Sequence, residues 1–188
     1  ITIEKLLTAW QEFLRDKKKR KDVILFQAKL AANMFALYKD LKNKTYRHSS
    51  YTAFNISDPK PRQIHKAIVR DRLVHHLIYQ ELHKFFDSKF IHDSYSCRRG
   101  KGTHRAMNRF RTFFRKVSKN NTRTRFVLKC DIKKFFANID HQILKGILVK
   151  HIKDKNILWL LSQVIDSFNS KNQISAMADI TKGLPLGN

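Results

Sequence analysis

Carboxylates are scarce in this chain. Across 188 residues, 15 Asp and Glu stand against 39 Lys and Arg, a formal net charge of +24 with histidine neutral. Cysteine is also scarce: Cys97 and Cys130 have no CxxC or His companion spacing, which fits reduced, buried thiols better than a zinc site or a disulfide framework. Glycine (5) and proline (3) are few, and no repeat or low-complexity linker interrupts the chain. No apolar run approaches the length of a membrane span, and the N-terminus lacks a signal-peptide pattern, so cytoplasm is the expected compartment.

What is present is apolar content. At 42% hydrophobic residues with 14 Phe the chain can bury a core, as one globular domain or two small ones. That content argues against a disordered polycation. A pI near 10.4 in a folded chain points to a polyanionic partner, because clustered cations release counterions from a phosphate backbone. An anionic membrane surface is the rival. The chain opens at Ile1 and stops at Gly187-Asn188, which reads as a fragment.

Helical periodicity predicts helices over 3–17 (Leu6, Leu7, Trp10, Phe13, Leu14) and 23–42 (Leu30, Met34, Leu37, Leu41). The period then changes. Tyr51 to Ala67 predicts a two-strand hairpin around Asp58-Pro59-Lys60-Pro61, where two prolines exclude a helix. Helices follow at Val69–Phe86 and His104–Val117, the second placing Ala106, Phe110, Phe113, Phe114 and Val117 inward and leaving a cationic stripe outward. Phe126–Asp131 reads as a short apolar strand, and helices follow at about 141–152 and 157–168.

Several residues invite chemistry. Asp131 closes an apolar strand among Lys129, Lys133 and Lys134; taken alone it reads as a turn cap or as a ligand for a hard divalent cation. Asp140 reads as a helix N-cap. Lys60 and Arg62, at a constrained turn, suit a phosphate tail, or are simply solvated. Ser94 to His104 combines Arg98, Arg99 and Lys101 with two glycines ahead of a helix N-terminus: an anion site or a charged loop, but not a Walker A loop. His75 and His76 are adjacent on a helix and so face different directions.

In sequence order these segments resemble the N-terminal half of a bacterial reverse transcriptase of the group II intron-like lineage. Asp58-Pro-Lys-Pro-Arg62 leading into Val69-Arg-Asp-Arg-Leu-Val74 is similar to that family's fingers motif. Ser94-Tyr95, Arg98, Gly100-Lys101 and Thr103-His104-x-Ala106 resemble its S-Y-G-F-R-P-G-R-S-x-H-x-A block, Phe126–Asp140 its palm segment with the first catalytic aspartate, and Lys182–Asn188 the block usually written P-Q-G. The resemblance implies an α+β fold, the fingers and partial palm of a right-hand polymerase, helix-rich with a β-hairpin and short palm strands. Residues 1–45 would be an N-terminal helical extension, and 46–188 the fingers with an incomplete palm near 126–142.

It further implies RNA-directed DNA synthesis by two Mg²⁺ ions, with an RNA template, a DNA primer and dNTP as partners and a retroelement or intron RNA as context. Asp131 would be the catalytic ligand of both metals, with the Ile132 carbonyl beside it. Lys60 and Arg62 would hold the triphosphate, Phe136 would exclude a 2′ hydroxyl, and Leu186 and Gly187 would face the nucleotide. Arg98, Arg99, Lys101, His104, Arg105 and Arg109 would contact the template and primer backbone. Leu186 departs from the usual Gln and is similar to the diversity-generating retroelement branch. The second catalytic carboxylate pair, [YF]-x-D-D, and the thumb do not occur within the 188 residues. The alternative is a non-catalytic, reverse-transcriptase-like RNA-binding protein with a maturase or defence role.

Overall fold

A computed structural model describes residues 1–57, 61–169 and 182–185. Seven α-helices and one two-stranded sheet occur among them: α1 (Ile3–Phe13), α2 (Lys21–Ala28), α3 (Leu30–Lys42), β1 (Thr52–Ile56), β2 (Arg62–Lys66), α4 (Val69–Phe86), α5 (Thr103–Val117), α6 (His141–His151) and α7 (Lys155–Asp166). The chain divides into two compact units, Ile1–Gln80 with Lys134–Asn188, and Glu81–Lys133. The boundary falls inside α4.

The first unit holds the core. Leu6, Ala9, Trp10 and Phe13 recur along α1 at helical spacing and are buried together with Val23, Met34, Leu37, Leu41, Leu73, Val74 and Leu77. Thr2 caps α1 by accepting from the Lys5 amide. The helix ends at Phe13 rather than reaching 17, because Leu14 turns the chain toward Asp16 at positive φ and Lys17 folds its Nζ back onto the Phe13 carbonyl. The single helix expected over 23–42 is two helices. Lys29 leaves helical geometry (φ −120°, ψ 35°), and the Asn33 side chain donates to the Phe26 carbonyl at the break.

The hairpin forms as expected, antiparallel, with Thr52 opposite Lys66, Phe54 opposite Ile64 and Ile56 opposite Arg62. Tyr51 anchors its base: the hydroxyl is 2.9 Å from Ser167 Oγ, and Phe168 packs edge-on against the rings of both Tyr51 and His65.

Arg70, Asp71 and Arg72, at the start of α4, each reach a different part of the chain. Arg70 pairs with Asp40 of α3 at 2.6 Å and lies over the Tyr46 ring. Asp71 is fully buried and accepts from Tyr46 Oη and from the Ser49 amide, both at 2.9 Å. Arg72 pairs with Asp22 of α2 and stacks over Phe13 of α1. Burial, with the Asp71 charge next, pushes the Tyr46 hydroxyl well above its usual range, so it stays a donor. The triplet is a joint, and it ties α1, α2 and α3 to α4.

The adjacent histidines do diverge. His76 approaches Glu12 at 3.5 Å, while His75 Nε2 lies 3.0 Å from His48 Nε2. The Ser49 carbonyl can only accept, so His48 Nδ1, 2.6 Å away, carries the proton, and between the two facing Nε2 atoms one ring donates to the other. Burial, reinforced by His48, pushes His75 down to about 4.

Candidate nucleic-acid interface

Unit 81–133 carries 15 Lys and Arg against 4 carboxylates, and between Asp93 and Asp131 it has twelve Lys and Arg and no carboxylate at all. No apolar side chain of this unit is buried among the described residues. What orders it is a set of charge-assisted hydrogen bonds. Arg98 donates from Nε to Asp87 Oδ1 at 2.8 Å and from its two terminal nitrogens to the carbonyls of Asp87, Ile91 and Ser94. Lys101 Nζ donates to the His92 carbonyl at 2.7 Å. Arg109 of α5 donates to Asp93 at 2.9 Å, where Tyr95 Oη and His92 Nδ1 also converge. The Arg109 bond first, with those of His92 and Tyr95, holds Asp93 down to about 2. Arg98 likewise lowers Asp87.

Gly100 (φ 67°) and Gly102 (φ 112°) then turn the chain into α5 in backbone geometry that a side chain would strain. His104, Arg105, Arg111, Arg115 and Lys116 project from α5 into solvent, and Arg99 is exposed before it. The six residues assigned to nucleic acid from the sequence thus fall into two sets. Arg98, Lys101 and Arg109 bind the loop's own carboxylates and carbonyls and shape it, whereas Arg99, His104 and Arg105 face outward. Asp87 and Asp93, which do the pinning, drew no notice in the sequence; two acids bracketing the entry to a long stretch free of them were the available signal.

Three expectations need correction here. The apolar face of α5 is not inward: Phe110 is 52% and Val117 51% exposed, because no residue of α5 is buried by any element among those described. Residues 126–131 form no strand, with Phe126 97% and Leu128 88% exposed; a strand exists only through a ladder partner, and none pairs with this segment among the described residues. Cys97 and Cys130 are free but exposed, not buried, since one lies in the pinned loop and the other in that unpaired segment.

Asp131 and Ile132 sit in the exposed stretch that ends unit 81–133, Ile132 70% exposed. No group of three His, Cys, Asp or Glu able to hold a metal occurs among the described residues. One carboxylate and one carbonyl do not hold two Mg²⁺ ions, so the described residues alone do not fit that cofactor.

The other unit holds Arg62, exposed on β2, and Phe136, half-exposed at the start of a 3₁₀ turn over Phe136–Asn138. Lys60, Leu186 and Gly187 lie outside the described residues. Two of the four matched blocks do meet. Gly183 N donates to the Ile139 carbonyl and Leu184 N to the Phe136 carbonyl, both at 2.8 Å, and Lys182 bridges Asp140 in antiparallel fashion. His141, buried, donates from Nε2 to the Gly183 carbonyl at 2.7 Å. Asp140 is the N-cap of α6, accepting from the Gln142 and Ile143 amides, as its position predicts.

No family model matches the chain. Over 112 residues, 60% of its length, it is 24% identical to nuclear intron maturase 1, mitochondrial, of Arabidopsis thaliana. That stretch is 15% of the relative, so the chain spans a small part of the curated protein it matches. No helix among the described residues is long and apolar enough to cross a membrane.

Proposed function

We propose that this chain is a reverse-transcriptase-like module that binds intron RNA. The observation that carries the reading is the run of twelve Lys and Arg without a carboxylate between Asp93 and Asp131, ordered by the Asp87–Arg98 and Asp93–Arg109 pairs into a cationic loop and helix. Such a surface neutralises phosphates and carries little base information by itself. The similarity to an intron maturase, a family related to reverse transcriptases, supports intron RNA as the polyanion.

A second reading, RNA-directed DNA polymerase, is favoured by the contact between the Phe136–Asp140 and Lys182–Leu184 segments, two of the blocks whose order resembles that enzyme family. In that reading Asp131 supplies one metal-binding carboxylate, to be joined by further carboxylates, while Lys60, Arg62 and Phe136 serve the nucleotide. One experiment separates the two: RNA affinity of the chain, measured against salt, with and without Asp131→Ala, alongside primer extension by the longest protein that contains it. RNA binding untouched by the change, without extension in either form, supports the binding module; extension lost on Asp131→Ala supports the polymerase. Absence of salt-dependent RNA binding refutes both.

A further inference from the structure

The β1–β2 hairpin has two chemically different faces. Cross-strand partners share a face, and residues two apart share it as well, so Thr52, Phe54, Ile56, Arg62, Ile64 and Lys66 line one side. The other side carries Ala53, Asn55, Gln63 and His65, and it is partly occupied: the His65 ring packs at 4.8 Å on Phe168. On the first side Phe54 is 44% exposed opposite Ile64, which makes an apolar centre between Arg62 at one end and Lys66 at the other. The ten strand residues include no Asp or Glu. Lys66 is held by Asp22 at 2.7 Å, whereas Arg62 has no ion-pair partner among the described residues. At its base this side continues into an open cleft of about 570 Å³ lined by Thr52, Lys66, Ile68, Leu25 and Phe26, with Asp22, the partner of Lys66, on its wall.

We propose that this face is a stacking platform for an unpaired base of single-stranded RNA, with Phe54 under the base and Arg62 on a flanking phosphate; the proposal rests on the RNA-binding reading above. An aromatic ring presented between cations on an acid-free ribbon matches a nucleotide strand in both its parts, the flat apolar base and the charged backbone. An apolar protein partner would gain nothing from Arg62. A duplex would gain nothing from Phe54, since its bases are already stacked. Arg62 also belongs to the nucleotide site of the second reading, while Phe54 and Ile64 belong to the platform alone.

The test uses the 188-residue chain with an oligouridine and a duplex RNA of equal length at one salt concentration. Phe54→Ala should weaken single-strand binding by about tenfold and leave duplex binding unchanged. Phe54→Trp should keep the affinity, and the fluorescence of the introduced indole should be quenched by the single strand but not by the duplex. Asn55→Ala, on the opposite side, should change neither. Equal single-strand affinity in Phe54→Ala, equal loss on both RNAs, or an introduced indole blind to the single strand overturns the platform while leaving the RNA-binding reading standing. A chain that binds neither RNA overturns both. If Phe54→Ala unfolds, the quench in Phe54→Trp decides alone.

Discussion

Replacing Asp71 by Ala should cost the protein a large part of its stability. The carboxylate is fully buried and accepts at 2.9 Å from the buried Tyr46 hydroxyl and from the Ser49 amide, with Arg70 Nη1 at 3.4 Å and His48 Nδ1 at 3.8 Å. A hydrogen bond to a charged group contributes about 1.5–3 kcal/mol, and a donor left buried without a partner costs a similar amount. Two close bonds are lost, and Tyr46 Oη donates to Asp71 alone among the described residues, so Asp71→Ala should lower unfolding free energy by about 3–5 kcal/mol. That is a fifth or more of the roughly 5–15 kcal/mol available to a domain.

Tyr46→Phe removes one donor and leaves the carboxylate its Ser49 and Arg70 contacts, so it should cost about 1–2 kcal/mol. The two changes share one bond, and the double variant should be milder than the sum. Urea unfolding followed by tryptophan fluorescence measures all three, since Trp10 lies in the core that this network supports. An Asp71→Ala variant within about 0.5 kcal/mol of the parent, or strictly additive single changes, would refute the reasoning.

The His48–His75 pair gives a pH dependence. His75 titrates near 4 in the fold against an ordinary 6.5, so its contribution is fully present above about 6.5 and is lost as pH falls toward 4. His75→Gln should flatten the stability–pH curve in that window relative to the parent; identical slopes would contradict the assignment. In the basic unit, Asp93→Asn should release Arg109 and remove a negative charge, so RNA affinity at low salt should rise and the slope of log affinity against log salt should steepen by about one. A shallower slope would show that Asp93 orders the loop for binding more than its charge opposes it.

Local pattern made much of the fold legible. The bounds of α4, the hairpin, the Asp140 cap and the opposite directions of His75 and His76 all follow from near-neighbour rules of period and chirality. What failed depended on partners far away in the chain. Phe126–Asp131 has strand composition but no ladder among the described residues, and α5 has an apolar arc but nothing described that packs along it, because pattern specifies which face wants covering and not what covers it. The cationic loop was legible as a charge run. That Arg98 and Arg109 would turn inward to Asp87 and Asp93 was not, because a charge count does not say which cation meets which anion.

The three-way joint at Arg70-Asp71-Arg72 bears on how this protein can be divided. Trimming it at residue 45 would strip Asp22 from Arg72 and Asp40 from Arg70 and remove Phe13 from beneath the Arg72 guanidinium. The helices of residues 1–45 thus share one compact unit with the hairpin and the first turns of α4. A shortened protein that lacked them would leave Arg70 and Arg72 without two carboxylates and an aromatic ring at one stroke.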